Sequence, residues 1–156
     1  MTMRRRGLIA ALLLLALPAT AEADRISIAV GRVLTLTAPS GTTFQPGVGD
    51  SATGLLSGDG FRLSLDYGLY SDPLVRPDFG PLLRAEDLTI DGRAGRLFLW
   101  RAPPGALPVR IGLHVPSVAP SGMGPLRLTI AGLVADDATA ERMTTMFRTI
   151  RFLVSP

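Results

Sequence analysis

Residues 61–67 read FRLSLDY, which is the clearest strand pattern in the chain. Apolar and polar residues alternate along it, which is the period of a strand with one buried face. The buried face would carry Phe61, Leu63, Leu65 and Tyr67, and the opposite face Arg62, Ser64 and Asp66. The pattern predicts a β-sheet with one face against an apolar core.

Further strand patterns lie on both sides of this stretch, separated by turns rich in Gly, Pro and Asp. The pair Asp91-Gly92 between residues 88–90 and 94–100 predicts a hairpin. Residues 38–59 and 68–87 are predicted mostly as loops, with 53–56 as a candidate edge strand. The remaining predicted strands are 25–30, 32–37, 109–115 and 126–134, with a bulge or tight turn at Gly31 and Arg32.

The period changes near the C-terminus, where Ala140, Met143, Phe147 and Ile150 recur at three- and four-residue steps. Asp137 is the predicted N-cap of this helix. A short strand at 150–154 is predicted to follow. The sequence therefore predicts an α+β fold, a single antiparallel β-sheet with a C-terminal helix packed across one face.

The N-terminus has the pattern of an export signal. Three arginines at 4–6 precede an apolar run at 7–17, and Pro18 and small residues follow. This order predicts a cleavable signal peptide at 1–23, cut after Ala21 or Ala23, and one domain at 24–156. The apolar run is about half the roughly 20 residues that a spanning helix needs. We therefore expect a periplasmic or secreted protein with no membrane span after cleavage.

Composition excludes several chemistries. Removing 1–23 leaves 13 arginines against 12 acidic residues, and the charges are scattered, so nucleic-acid binding is not favoured. Cys and Lys are absent and His occurs once. Disulfides, thiol nucleophiles, lysine Schiff bases and His-rich zinc sites are therefore excluded. From the sequence we expect no cofactor, no bound metal and no enzymatic activity.

Three segments together resemble a known fold family. They are residues 61–74 (FRLSLDYGLYSDPL), residues 90–96 (IDGRAGR) and the final helix running into 149–152 (TIRF). A late helix followed by such a strand resembles small exported bacterial domains with the PsbP-like α/β/α sandwich. The resemblance implies an antiparallel sheet between helices and a non-catalytic accessory role. The chain has no convincing N-terminal helix, which leaves one sheet face poorly covered.

The candidate ligand-binding residues are Asp66, Tyr70, Asp72 and Asp78, where the 61–67 strand enters a long loop. Their carboxylates could bind Ca²⁺, although the spacing matches no twelve-residue calcium loop. Two of them could form an acid/base pair, and the tyrosine could stack on a sugar. The alternative interpretation is ordinary turn chemistry, because Asp before Gly or Pro is common in turns.

Trp100 and Arg101 are the candidate partner surface, because Trp and Arg dominate binding hot spots. A buried tryptophan closing the core is the alternative. His114 is interpreted as a structural strand residue and not as a catalytic base. The resulting hypothesis is a non-catalytic accessory or interaction domain with an unknown protein partner in the cell envelope. The alternative hypothesis is a carbohydrate or small-ligand binding module, with or without Ca²⁺, that uses the 66–78 loop.

Overall fold

A computed structural model describes residues 25–48, 52–75, 77–105 and 107–155. The predicted signal peptide, 1–23, lies outside these residues. The described chain forms ten strands, one α-helix and a short 3-10 turn at Pro77–Phe79. The strands are β1 Arg25–Val30, β2 Leu34–Pro39, β3 Thr43–Pro46, β4 Ala52–Gly58, β5 Phe61–Gly68, β6 Leu82–Ile90, β7 Arg93–Arg101, β8 Val109–Ala119, β9 Leu126–Val134 and β10 Arg151–Phe152, and the helix is α1 Asp137–Arg148.

Seven strands form one antiparallel sheet, the large sheet, in the order β3-β4-β5-β9-β8-β7-β6. The predicted alternation of β5 is confirmed, because its apolar residues are buried on one face, the core face. On that face Leu63 lies opposite Leu56 of β4 and Gly132 of β9. A Cβ at Gly132 would collide with the carbonyl oxygen of Arg62, so glycine lets β5 and β9 approach.

The predicted fold class is wrong: the described chain is not an α+β domain with a single antiparallel sheet and a helix across one face, because it is mostly β and has two sheets. β1, β2 and β10 form a separate three-stranded sheet, the small sheet, in which Arg151 lies opposite Thr35. Alternation along β1 and β2 shows which face is buried but not which strands are neighbours. The small sheet has its own apolar face toward the core, so the protein is mostly β, with two sheets sharing one core.

The C-terminal helix α1 packs against strands of both sheets, β2 of the small sheet and β6, β8 and β9 of the large sheet. Ala140, Met143 and Phe147 are buried, as the periodicity predicts. The N-cap is Asp136 and not Asp137, because Asp136 Oδ1 accepts the Thr139 N–H at 2.7 Å. No helix among the described residues is long and apolar enough to cross a membrane.

The predicted loop at 68–87 contains more strand than expected, because β6 begins at Leu82. Residues 69–75 and 77–81, called the crossing segment, join β5 to β6. These strands are separated in the sheet by β9, β8 and β7, so the segment must cross those three strands. It crosses the face opposite the core, called the outer face. The predicted loop at 38–59 likewise holds two strands, β3 and β4. The candidate edge strand at 53–56 falls within β4, which lies between β3 and β5 and is therefore not an edge.

Both edge strands of the large sheet are interrupted or short. β3 has four residues and ends at Pro46. β6 shifts register between Leu82 and Arg84, and Arg84 forms ion pairs with Glu86 and with Glu141 of α1. Charges and irregularities of this kind keep an edge from pairing with further strands.

Candidate functional site

The outer face has a row of small residues across its middle. Strand register places Ser64, Ala131 and Gly112 side by side on β5, β9 and β8. The row leaves room for the crossing segment, whose Leu74 lies directly above Gly112. A Cβ on that glycine would sit 2.6 Å from Leu74 Cδ1. Leu74 is therefore only 3% exposed although it lies in a connection and not in a strand.

Polar contacts fasten the crossing segment to β9 at its start. The Thr129 hydroxyl donates to the Asp72 carbonyl oxygen at 2.7 Å. The hydroxyl of Ser71, which is almost fully buried, shares its one proton between the carbonyl oxygens of Asp66 at 3.1 Å and Arg127 at 3.3 Å. The segment covers the outer face without any α-helix. Prolines at 73, 77 and 81 account for this, since proline disfavours helix interiors.

Aromatic rings fasten the other end of the segment to β7. Phe79 meets Trp100 edge-on at 5.1 Å between ring centroids, and Phe98 stacks on the same tryptophan at 5.2 Å. The Arg110 guanidinium lies over the Phe79 ring. Trp100 is 4% exposed, so its side chain is buried among these rings. Of the predicted partner surface, only Arg101 presents its side chain to solvent.

Two open depressions lie on opposite sides of the crossing segment. The His114 depression has a volume of about 860 Å³, and its lining includes Pro73, Val75, Arg96, Phe98 and His114. The Asp66 depression has a volume of about 380 Å³, and its lining includes Ser64, Asp66, Asp72, Leu74, Arg110 and Thr129. Both volumes fall in the range of small-molecule sites.

His114 is held in a defined tautomer by its neighbours. Its Nδ1 lies 2.9 Å from Thr129 Oγ1, whose one proton is already donated to the Asp72 carbonyl. The Thr129 oxygen must therefore accept, and Nδ1 carries the ring proton. Burial lowers the pKa of His114, the positive charge of Arg127 lowers it further, and the negative charge of Asp72 opposes both. A neutral ring of this tautomer has a free lone pair at Nε2.

The structure brings together two of the four predicted ligand-binding residues. Asp66 and Asp72 line the same depression. Asp78 is exposed on the short 3-10 turn, and Tyr70 is 91% exposed, so neither lines it. Among the described residues, no three His, Asp or Glu side chains are grouped as metal ligands. The Asp72 carboxylate also accepts the Leu74 N–H at 2.9 Å, which is the turn chemistry considered as the alternative.

Sequence reasoning did not combine the residues of the larger depression. Arg96 and Phe98 lie on one face of β7, and Arg96 is the register partner of His114 on β8. Alternation in residues 94–100 places Arg96 and Phe98 on the same face. Only the register between β7 and β8 brings His114 beside Arg96 and Phe98, and the sequence does not give that register.

The described chain combines two antiparallel sheets with a late helix that packs against strands of both. The chain is similar to the solution structure of cyanobacterial PsbP (CyanoP) from Synechocystis sp. PCC 6803, with a TM-score of 0.53 and 11% sequence identity. The match covers 88% of this chain and 97% of that chain. No protein-family model matches the sequence, and no curated protein matches it. The predicted likeness to the PsbP-like fold is confirmed, and at this identity the likeness concerns the fold alone.

Proposed function

We propose that this protein is an exported, non-catalytic accessory domain that binds a protein partner in the cell envelope. The predicted signal peptide at 1–23 supports export. The observation that carries the binding role is a group of exposed leucines around Arg101. We call this surface the Arg101 patch, and it consists of Leu82, Leu83, Arg101 and Leu107.

Backbone hydrogen bonds bring the members of the Arg101 patch together. The Arg101 N–H donates to the carbonyl oxygen of Pro81, which precedes the two leucines of β6. The next residue, Ala102, donates to Pro108, which follows Leu107. The leucines are 55%, 47% and 39% exposed in chain order. Three segments that carry exposed leucines thus meet beside Arg101.

A well-packed neighbour supports the Arg101 patch. Trp100 lies opposite Leu82 in the β6–β7 register and is enclosed by aromatic rings. A surface supported in this way loses little conformational freedom when a partner docks, which favours affinity. Leucines flanking an arginine match the apolar centre and charged anchor of protein interfaces. The partner would place an acidic group against Arg101.

Crosslinking in intact cells of the source organism tests the proposal. Tagged protein expressed with its own signal would be captured, and its N-terminus sequenced to establish cleavage after Ala21 or Ala23. We expect one saturable partner that is lost in Arg101→Glu and Leu83→Asp. Matched controls outside the patch are Arg32→Glu and Met123→Asp, which change exposed residues in the same way. Capture that is equal in all four variants would refute the patch, and an uncleaved cytoplasmic protein would refute export.

A second candidate function is binding of a carbohydrate or another small polar ligand. The observation that favours it is the Asp66 depression, which is lined by two acidic residues, Asp66 and Asp72, and by one basic residue, Arg110. Thermal unfolding with a panel of glycans tests this function. We expect Asp66→Ala to abolish ligand-induced stabilisation and Asp78→Ala to leave it unchanged, since Asp78 lies outside the depression. A panel that stabilises neither the parent protein nor the control would exclude the function.

A further inference from the structure

The His114 depression combines an apolar wall with two polar groups at one place. Pro73 and Val75 of the crossing segment form one side, and Phe98 lies on the floor. Val75 is 77% exposed although it is apolar, so this wall is in contact with solvent. A pocket with apolar walls and a few convergent polar groups is the usual form of a small-molecule site.

His114 contributes an unused hydrogen-bond acceptor to this depression. Its side chain is 8% exposed, and only Nδ1 has a hydrogen-bond partner among the described residues. Tyr67 Oη is the one fully enclosed side-chain polar atom without a partner in the described part of the chain. The His114 Nε2 atom therefore keeps an accessible surface, and the ring lines the depression. A buried acceptor left open in this way suits a hydroxyl donor on a ligand.

Arg96 contributes a cation beside that acceptor. Its Nε lies 3.6 Å from Asp87 Oδ1, and both side chains are largely exposed, so this ion pair is weak. Nη1 and Nη2 of Arg96 have no hydrogen-bond partner among the described residues. The guanidinium lies 5.5 Å from the centre of the Phe98 ring, which holds it over the depression. Planar guanidinium groups prefer carboxylates that accept two hydrogen bonds.

Strand register sets the distance between these two groups. Arg96 and His114 are direct partners on β7 and β8, so their Cβ atoms are about 5 Å apart. The two side chains can therefore reach adjacent atoms of one ligand. We propose that the His114 depression binds a 2-hydroxy carboxylic acid with an apolar body. Arg96 binds the carboxylate, Nε2 of His114 accepts the hydroxyl proton, and the body lies between Val75 and Phe98.

Calorimetry on the exported chain, residues 24–156, tests this with 3-phenyllactate. Two comparison compounds each lack one group, namely 3-phenylpropionate without the hydroxyl and 3-phenylpropane-1,2-diol without the carboxylate. We expect saturable binding of 3-phenyllactate and at least about tenfold weaker binding of each comparison compound. No saturation at about 10 mM, or equal affinity for all three compounds, would overturn the proposal.

Substitutions assign each ligand group to its residue. Arg96→Gln should remove the advantage of 3-phenyllactate over the diol. His114→Leu should remove the advantage of 3-phenyllactate over 3-phenylpropionate and leave its advantage over the diol unchanged. Arg62→Gln, an exposed arginine on the same face but outside the depression, should bind like the parent protein. Circular dichroism of each variant confirms folding. Advantages that persist in both Arg96→Gln and His114→Leu would show that the compound binds elsewhere.

Discussion

Arg93 and Asp91 form an ion pair across the hairpin turn of the large sheet, with 3.5 Å between Nη1 and Oδ2, and both also bind the C-terminal segment. The Asp91 carboxylate accepts the Phe152 N–H at 2.8 Å. The Arg93 guanidinium donates to the carbonyl oxygens of Val118 and Val154 and lies over the Phe152 ring. The hairpin predicted from Asp91-Gly92 thus holds the two sheets together at one end.

Replacing Arg93 with methionine should lower the free energy of unfolding by about 2 kcal/mol, because the carbonyl oxygens of Asp91, Val118 and Val154 lose a charged donor. The side chain is only 11% exposed, so water cannot fully replace it. Urea unfolding measures the change. Arg62→Met removes an exposed arginine and should stay within about 0.5 kcal/mol of the parent. Equal effects of the two substitutions would show that the Arg93 contacts contribute nothing.

Leu74 should respond unusually to substitution because its φ is +61°, in the left-handed region. Leu74→Ala removes a buried side chain and should cost about 2–5 kcal/mol. Leu74→Gly loses the same contacts but relieves about 1–2 kcal/mol of backbone strain. The glycine variant should therefore be at least as stable as the alanine variant, the reverse of the usual order in regular structure.

Denaturant unfolding of the two Leu74 variants checks this order, with Val75→Ala as the neighbouring exposed control. The Val75 change should fall within about 0.5 kcal/mol. Hydrogen exchange measures the local effect. In Leu74→Ala the backbone amides around Ser71 should exchange faster than those of β5. A glycine variant clearly less stable than the alanine variant would contradict the left-handed conformation.

Gly132→Ala should destabilise the large sheet at its centre. The new Cβ would collide with the Arg62 carbonyl oxygen and lie 2.8 Å from Leu63 Cα, and both are backbone atoms that cannot swing away. A loss of about 1–3 kcal/mol is expected on thermal or urea unfolding. Gly122→Ala is the matched control, because nothing lies within 4 Å of its added Cβ. Indistinguishable stabilities would mean that β5 and β9 are not this close.

Stability should fall as the pH is lowered below about 6.5, the ordinary pKa of histidine. Because the pKa of His114 is lowered in the folded protein, the unfolded chain binds the proton first. The free energy of unfolding therefore decreases as the pH falls below about 6.5. This decrease is complete once the pH is below the pKa of His114 in the folded protein.

His114→Gln should flatten this dependence in the window just below about pH 6.5. Urea titrations at several pH values measure the slope for the two proteins. Glu86 and Asp136, whose pKa values are lowered by Arg84 and by Thr139, act at more acidic pH and leave this window to His114. An unchanged slope in the variant would show that His114 titrates alike in the folded and unfolded chains.

Local patterns were sufficient for several individual elements, although β3 and the first part of β6 were predicted as loop. Alternation predicted β5, the Asp-Gly pair predicted the hairpin, and the apolar stripe predicted α1. The exact start of the helix could not be predicted, because Asp136 and Asp137 are both good N-cap residues. Only the helix geometry shows that the N-cap is Asp136. The division into two sheets could not be predicted, because strand pairing depends on contacts far apart in the chain, such as β2 with β10.

The candidate site depended on the same long-range contacts. Asp66 and Asp72 meet at one depression because the chain turns back over β9 after Gly68, whereas Asp78 lies beyond that turn. The sequence presented all three as equivalent carboxylates. His114 gained a possible role only through its register with Arg96 and its bond to Thr129, which no spacing along the chain encodes.

The short β3 and the irregular, ion-paired β6 also bear on how the protein behaves at high concentration. Open sheets with long, flat apolar edges add strands from other molecules and grow into fibrils. Here one edge offers four residues ending in proline, and the other is offset by a register shift and bound to α1 through Arg84 and Glu141. These two features keep the edges of the large sheet from pairing with the strands of another molecule.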